Sequence, residues 1–269
     1  MKKTKGQIAL IAACAAFAAL FLVLPLIFVI TQALKDGIAA YMESIVDEYT
    51  LKALSLTVRT TIVAVVFNTL FGVIAAWTVT KYDFRGKKAL ATIIDIPLSV
   101  SPVIAGLIYI LTFGRTSPIY PFLMEHNLTI VYAVPGIMLA TIFTTLPYVS
   151  REIIPVLSNQ GTHEEEAALL LGAGGFTVFR KVTFPHIKWP LIYGVVLCTA
   201  RAMGEFGAVS ILSGHLRGKT NTLPLHIEIL YNEFNYTQAF AVSSILVFLA
   251  IIILILRSVI EHKGKKAGI

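Results

Sequence analysis

Six apolar runs, each about 20 residues or longer, divide this 269-residue chain, and such runs can cross about 30 Å of hydrocarbon as helices. Apolar residues make up 57% of the chain and charged residues only 14%, a composition far from that of a soluble domain. The sequence therefore predicts an all-α integral membrane protein with a single transmembrane domain over residues 1–269. The predicted spans cover residues 8–34, 57–80, 89–113, 129–150, 190–213 and 238–258.

The basic residues predict the orientation of these spans. Of the 22 Lys and Arg residues, 15 flank the two chain ends and the connections 81–88 and 151–189, which share one predicted side. Loops rich in Lys and Arg remain in the cytoplasm, so we expect both termini to be cytoplasmic. The net charge of +7 then reflects basic residues that flank the spans in the lipid bilayer and set their orientation. We therefore expect no nucleic-acid partner. The first run exceeds the apolar core of a signal peptide and should stay in the mature protein.

Residues with catalytic or metal-binding chemistry are scattered. Cys14 and Cys198 fall inside apolar runs and are expected to be core residues, and the six His residues show no ligand spacing. The segment Ser213–Thr220 ends like a phosphate-binding loop, but it follows a predicted membrane helix on the outer side, where such a loop does not belong. We therefore expect no catalytic residue, no metal and no ATP site in this chain.

The connection 151–189 contains a regularly spaced pattern between predicted spans four and five. Glu166-Ala-Ala is followed after three intervening residues by Gly172, and after nine more intervening residues by Val182-Thr-Phe-Pro. We predict a helix over 163–171 that begins with a capping box between Thr162 and Glu165. The glycines Gly172, Gly174 and Gly175 should turn the chain, and a second short helix should run from Phe176 to Lys181.

This spacing resembles the EAA signature of ABC-importer permeases, a family of bacterial inner-membrane proteins. The resemblance implies a type I importer permease fold, similar to that of methionine-importer permeases, in which this helix-turn-helix couples to a cytoplasmic ABC ATPase dimer. The ATP would be bound by that partner, and this chain would need no cofactor. An amphipathic helix at the lipid surface is the alternative. The residues implied in coupling are Glu165, Glu166, Ala167, Ala168, Leu170, Gly172, Phe176 and Pro185.

Three further segments resemble the W-type permeases of sulfate/thiosulfate importers. They are residues 200–208 (ARAMGEFGA), 213–225 and 76–87. The resemblance implies a channel shared with a second, homologous T-type permease and an extracytoplasmic sulfate-binding protein. The first segment is also similar to molybdate permeases, so an importer of molybdate or tungstate is the alternative. A secondary transporter would also have six spans, but it has no need of the EAA loop.

Charged and polar residues within the predicted spans are candidates for the translocation pathway. Arg201 and Glu205 are four residues apart, on one face of a helix, and two interpretations remain open: a structural ion pair, or a contact between Arg201 and the anion. Asp95 lies near enough to the membrane boundary to reach it. The remaining candidates lie beside prolines that should bend spans three and four: Ser99, Ser101 and Thr145.

Overall fold

The regular elements of the described chain are all helical. The computed structural model describes residues 4–266, so the predicted topology residues Lys2 and Lys3 lie outside it, as do the side chains of Lys5, Lys263, Lys265 and Lys266. The α-helices are α1 Lys5–Ala18, α2 Leu24–Ala33, α3 Gly37–Val46, α4 Glu48–Lys81, α5 Lys87–Ser99, α6 Pro102–Phe113, α7 Tyr120–Glu125, α8 Val134–Thr145, α9 Pro147–Gln160, α10 His163–Leu170, α11 Gly175–Val178, α12 Phe184–Met203, α13 Gly207–Leu212, α14 Leu223–Asn232 and α15 Tyr236–Lys266.

Two π-helical turns join α-helices without a break in the chain direction. Ala19–Val23 connects α1 to α2, and Phe179–Thr183 connects α11 to α12. Each turn ends two residues before a proline, Pro25 or Pro185. Because proline has no N–H to donate, the carbonyl four residues earlier loses its usual partner, and a wider turn accommodates this local change. Gly6–Ala33 is consequently one 28-residue apolar helix.

Helix α4 is the central element and packs against α8, α9, α12 and α14. The Asp47 side chain accepts the backbone N–H groups of Tyr49 and Thr50, which places the start of α4 nine residues before the predicted span at 57. Its buried face carries mainly small and polar side chains, which permit close approach of the neighbouring helices. These residues are Thr50, Ala53, Thr57, Thr60, Thr61, Ala64, Asn68, Gly72, Ala75, Ala76 and Val79.

The predicted third span is broken into two helices. Helices α5 and α6 meet at an angle of 108°, and the break falls at Val100 and Ser101. Both residues have extended backbone, with ψ of 132° and 133°. Pro102 explains the second value, because its ring disfavours helical backbone in the residue before it. The expected single span 89–113 is therefore wrong in shape, although helices occupy its residues.

The predicted fifth span is also interrupted. Helix α12 ends at Met203, and α13 begins at Gly207 after a break over 204–206. This break packs against the bend between α5 and α6. A Cβ atom on Gly207 would lie 2.9 Å from the Pro102 Cβ, and one on Gly106 would lie 2.7 Å from the Ala208 carbonyl oxygen. A side chain larger than that of glycine would clash at positions 106 and 207. The absence of a side chain there lets the backbones of the two broken spans pack closely.

Among residues 4–266, length and apolar composition identify four helices that could each cross a membrane, and the bent α5–α6 pair is a fifth candidate. The four are Gly6–Ala33, Glu48–Lys81, Val134–Gln160 and Tyr236–His262. They overlap predicted spans one, two, four and six. Helices α12 and α13 occupy the fifth predicted span, and the charged residues Lys188 and Arg201 within α12 lower its apolar content.

Candidate functional site

The EAA loop forms the two short helices that the sequence predicts, with a different start. Helix α10 begins at His163, but the described Thr162 side chain makes no capping hydrogen bond, so the predicted capping box with Glu165 is wrong. Glu165 instead turns inward and accepts a hydrogen bond of 2.6 Å from the Thr183 hydroxyl. Its other carboxylate oxygen lies 3.1 Å from the Lys81 Nζ atom. Glu165 therefore binds the buried side chains of Lys81 and Thr183 instead of capping the start of α10.

The tip of the loop presents large apolar side chains to the surroundings. Leu170 is 90% exposed, Leu171 is 89% exposed and Phe176 is 77% exposed. These three residues, the loop tip, lie at the end of α10, in the turn after it and in α11, and none of them belongs to an apolar helix that could cross a membrane. Apolar side chains exposed in this way mark a surface for a partner or for lipid. Glu166 and Ala167 are exposed on α10, while Ala168 is half-buried.

The turn between the two helices depends on one glycine. Gly172 has φ of +82°, as predicted, and a Cβ there would meet nothing within 4 Å. Gly174 has φ of −71°, so it does not need to be glycine for backbone reasons. The second helix begins at Gly175 and continues through the π-helical turn into α12, so the predicted end at Lys181 is wrong. The exposed Pro185 lies inside this continuous rod.

An exposed ion pair joins the loop to the same rod. The His186 Nε2 atom lies 2.8 Å from the Glu164 carboxylate. The hydrogen bond from His186 is the main cause that lowers the pKa of Glu164 below its usual value, and the charge of His186 adds to it. Since both side chains are largely exposed, this pair contributes little to stability.

Arg201 and Glu205 form an ion pair at the break between α12 and α13. The Arg201 guanidinium lies 2.8 Å from a Glu205 carboxylate oxygen, and the Glu205 side chain is only 1% exposed against 30% for Arg201. Glu205 also accepts hydrogen bonds from the Thr144 hydroxyl at 2.9 Å and from the Ala208 N–H at 3.1 Å. Glu205 is thus fully partnered inside the protein, whereas part of Arg201 remains accessible.

Thr145, a predicted pathway residue, is buried beside this pair and does not line a surface of the chain. Its hydroxyl accepts a hydrogen bond of 2.7 Å from the Asn68 side chain and donates to the Thr141 carbonyl. Cys198 is buried in the same cluster, with its sulfur 3.8 Å from both the Asn68 nitrogen and the Thr145 carbonyl oxygen. The burial argues against direct contact between Thr145 and a substrate.

The other pathway candidates are exposed. Ser99 and Ser101 lie at the bend between α5 and α6. Asp95 pairs with Arg151 at 3.4 Å, and both side chains are about half exposed. The structure thus brings Arg201 and Glu205 together and places Ser101 next to the Pro102 that contacts Gly207. Thr145 lies buried beside the ion pair and away from the exposed Ser99 and Ser101.

Sequence reasoning did not identify Lys81, Thr183 and Asn68 as members of these clusters. Lys81 was assigned to topology alone, and the polar side chains were obscured by apolar neighbours. Their contacts join residues that are far apart in sequence, such as Lys81 and Glu165, and no short spacing pattern reveals such pairs.

The chain belongs to the family of binding-protein-dependent transport system inner membrane components, whose model matches residues 68–265. It is 46% identical over 245 residues to the sulfate transport system permease protein CysW of Escherichia coli (strain K12), covering 91% of this chain and 84% of that protein. It is 34% identical over 238 residues to the sulfate transport system permease protein CysT of Salmonella typhimurium (strain LT2), covering 88% and 86%. The predicted resemblance to sulfate-type permeases is confirmed.

A solved structure shares the fold. The crystal structure of a bacterial alginate ABC transporter, in complex with an alginate pentasaccharide-bound periplasmic protein, contains a chain that superposes with a TM-score of 0.78. The match covers 97% of this chain and 94% of that chain at 17% sequence identity. The all-helical importer-permease fold predicted from the sequence is confirmed, and this protein is a multi-pass membrane permease.

Proposed function

We propose that this chain is a permease subunit of an ATP-driven ABC importer and forms half of a membrane channel for sulfate or thiosulfate. Its similarity to two curated sulfate permeases along most of its length supports this substrate class. Because it resembles both a W-type and a T-type permease, and more strongly the former, we assign it the W-type place in a heterodimeric channel.

The loop tip is the observation that most directly supports coupling to an ATPase. Leu170, Leu171 and Phe176 are apolar and largely exposed, and burial of such surface drives association. A cleft in a cytoplasmic ATPase dimer is the partner that this loop fits, with Glu166, Ala167 and Ala168 along the docked helix. ATP binding and hydrolysis then belong to the partner, and this chain contributes no catalytic group.

The two ends of the molecule support the predicted orientation. The Lys81 Nζ donates to the Gly161 carbonyl, so connections 82–86 and 161–183, which share one predicted side, also share one end of the molecule. The Thr57 hydroxyl accepts the Leu223 N–H at the other end, where α4 begins. Because 15 of the 22 Lys and Arg residues flank the loop end and the chain ends, we propose that the loop end is cytoplasmic, with both termini. The opposite end would then receive the extracytoplasmic sulfate-binding protein.

Arg201 is the candidate anion contact in the channel. It combines a fixed positive charge with partial exposure, while its partner Glu205 is held by two further hydrogen bonds. A dianion that approaches Arg201 would not need to displace Glu205, because Thr144 and Ala208 continue to satisfy that carboxylate. Both readings of the pair are therefore compatible, and Ser99 and Ser101 at the neighbouring bend are secondary candidates.

The decisive experiment is to purify this chain with its co-purifying subunits, reconstitute it in vesicles and measure ATP hydrolysis with binding protein plus sulfate, thiosulfate, molybdate or tungstate. We expect stimulation by sulfate or thiosulfate. Stimulation by molybdate or tungstate alone would show that the importer transports one of these anions and not sulfate. Uptake by the isolated chain without ATP would reject the importer and favour a secondary transporter.

The docking role is tested by Gly172→Val, with Gly174→Val as the matched control. Both sites are open, but only Gly172 has a positive φ, so a side chain there costs about 1 to 2 kcal/mol in backbone strain. We expect Gly172→Val to reach the membrane normally, to bind less ATPase and to lose uptake, while Gly174→Val retains both. Pull-down of the ATPase at equal permease levels measures this. If both variants bound the same amount of ATPase and showed the same uptake, the docking assignment would be contradicted.

A further inference from the structure

A buried polar cluster connects the EAA loop to the core of the protein at one point. It consists of Lys81, Glu165, Thr183 and the Gly161 carbonyl, and we name it the loop anchor. The Lys81 and Glu165 side chains are only 5% and 11% exposed. Thr183 is fully buried. An ionised pair so far from solvent is costly unless every charge has partners, and here each charge has two.

The loop anchor joins three separate stretches of chain. Lys81 is the last residue of α4 and donates to Gly161, which precedes α10, and to Glu165, which lies in the first turn of α10. Thr183 is the last residue of the π-helical turn that leads into α12, and it donates to Glu165 at 2.6 Å. A displacement of α10 therefore acts on the ends of α4 and α12 together.

An aromatic contact lies beside the anchor. The Trp77 ring, one turn before Lys81 on α4, stacks on Phe179 at a centroid distance of 4.8 Å. Farther from the loop, near the middle of α4, the Asn68 side chain lies beside Cys198 of α12 and donates a hydrogen bond to Thr145. Helices α4 and α12 are thus fastened to each other near mid-length and to the loop at their ends.

We infer that Glu165 is a positioning residue through which movement of the EAA loop is transmitted to α4 and α12, rather than a residue of the docking surface. This inference rests on the proposed docking of an ATPase. Glu165 faces away from the loop tip, so removing its charge leaves Leu170 and Phe176 unchanged. It determines whether a docked loop pulls the two helices with it.

The test uses the complete reconstituted importer with its binding protein and compares Lys81→Met/Glu165→Gln with wild type. The double change leaves no orphan buried charge, and the introduced amide oxygen can still accept a hydrogen bond from Thr183. Two quantities are measured: ATPase bound per permease, and ATP hydrolysed per sulfate taken up. The control is Glu164→Gln, which removes the negative charge from the exposed pair between α10 and α12.

We expect the double variant to bind as much ATPase as wild type and to consume at least about fivefold more ATP per sulfate, the lower limit of typical coupling between sites. Glu164→Gln should match wild type in both. If the double variant consumed the same amount of ATP per sulfate as wild type, the loop anchor would have only a structural role and the inference would be wrong. Loss of ATPase binding by that variant would show that the anchor shapes the docking surface, which also overturns the inference. Failure of the wild-type chain to bind an ATPase would instead reject the proposed function.

Discussion

At the scale of single residues, the described chain buries the carboxylates of Glu205 and Glu165, and each of these two has specific partners. Glu205 has an arginine, a hydroxyl and a backbone N–H, while Glu165 has a lysine and a hydroxyl. Removing one member of such a pair is more destabilising than removing both, because the remaining charge cannot reach water. The exposed fraction of each partner decides which single change costs more.

The Arg201–Glu205 pair should respond asymmetrically. Arg201→Met leaves Glu205 charged and almost fully buried, at a cost of about 3 to 5 kcal/mol, whereas Glu205→Gln leaves an arginine that is 30% exposed and should cost less. The double variant should recover much of the loss. Thermal unfolding in detergent measures all three. A smaller loss for Arg201→Met than for Glu205→Gln would contradict the pair as we describe it.

His226 should make stability depend on pH. It is buried on α14 beside the Thr50 hydroxyl at 3.3 Å, and burial lowers its pKa below the ordinary value of 6.5, with Arg217 adding to the effect. The unfolded chain then binds more protons than the folded chain below about pH 6.5, so stability falls as the pH drops from there through the lowered pKa. Unfolding measured between pH 5 and 8 should show this fall.

The matched comparison for that experiment is His226→Gln against His215→Gln. The first should flatten the loss of stability below about pH 6.5. The second should leave it in place, because His215 is exposed. Identical pH curves for wild type and His226→Gln would show that another group titrates.

At the scale of elements, the two broken spans bring four helix ends together inside the protein. The ends of α5, α6, α12 and α13 meet where Pro102 contacts Gly207. A helix break inside a membrane protein frees backbone groups, which must find other partners or border a wet cavity. The backbone N–H of Ala208 donates a hydrogen bond to the Glu205 carboxylate.

Close contact at these breaks predicts which glycine is essential. Gly106→Ala would push a methyl group to 2.7 Å from the Ala208 carbonyl oxygen, so we expect a loss of about 1 to 3 kcal/mol and reduced uptake. Gly204→Ala would meet only the Ala200 oxygen, at 3.8 Å, and should be tolerated. The melting temperature and uptake of the two variants provide the measurement. Equal behaviour would mean that α6 and α13 separate easily.

The helical class, the location of apolar helices and the EAA loop follow from the sequence because apolar run length and glycine spacing are local signals. The positive φ of Gly172 was predictable for the same reason. The 108° bend was not predicted as such, since Pro102 indicates a break without fixing its angle. The capping box predicted between Thr162 and Glu165 was wrong because Glu165 instead pairs with Lys81, which lies 84 residues away in the sequence.

At the scale of the whole molecule, the loops separate into two ends that agree with the distribution of basic residues. The EAA loop and connection 82–86 share the end at Lys81. Segment 213–222 lies near the start of α4, where a Cβ on Gly218 would approach the Lys52 side chain at 3.4 Å. A single orientation in the membrane therefore places the EAA loop and connection 82–86 on one side and segment 213–222 on the other.

Cysteine labelling tests this orientation. In a chain with Cys14→Ser and Cys198→Ala, Lys87→Cys should react with a membrane-impermeant maleimide only from the cytoplasmic side, and Lys219→Cys only from outside. Intact cells and inside-out vesicles provide the two directions. Reaction of Lys87→Cys in intact cells would invert the topology.

The backbone contact between Gly106 and Ala208 also bears on biogenesis. The two residues are 102 positions apart, and a ribosome adds about 5 to 20 residues per second, so α6 waits roughly 5 to 20 seconds for its neighbour to be synthesised. During that interval, the bend at Ser101 has no α13 to cover it. The nascent chain should therefore depend on an insertase or membrane chaperone at this stage, and chains truncated before residue 207 should be cleared quickly by membrane proteases.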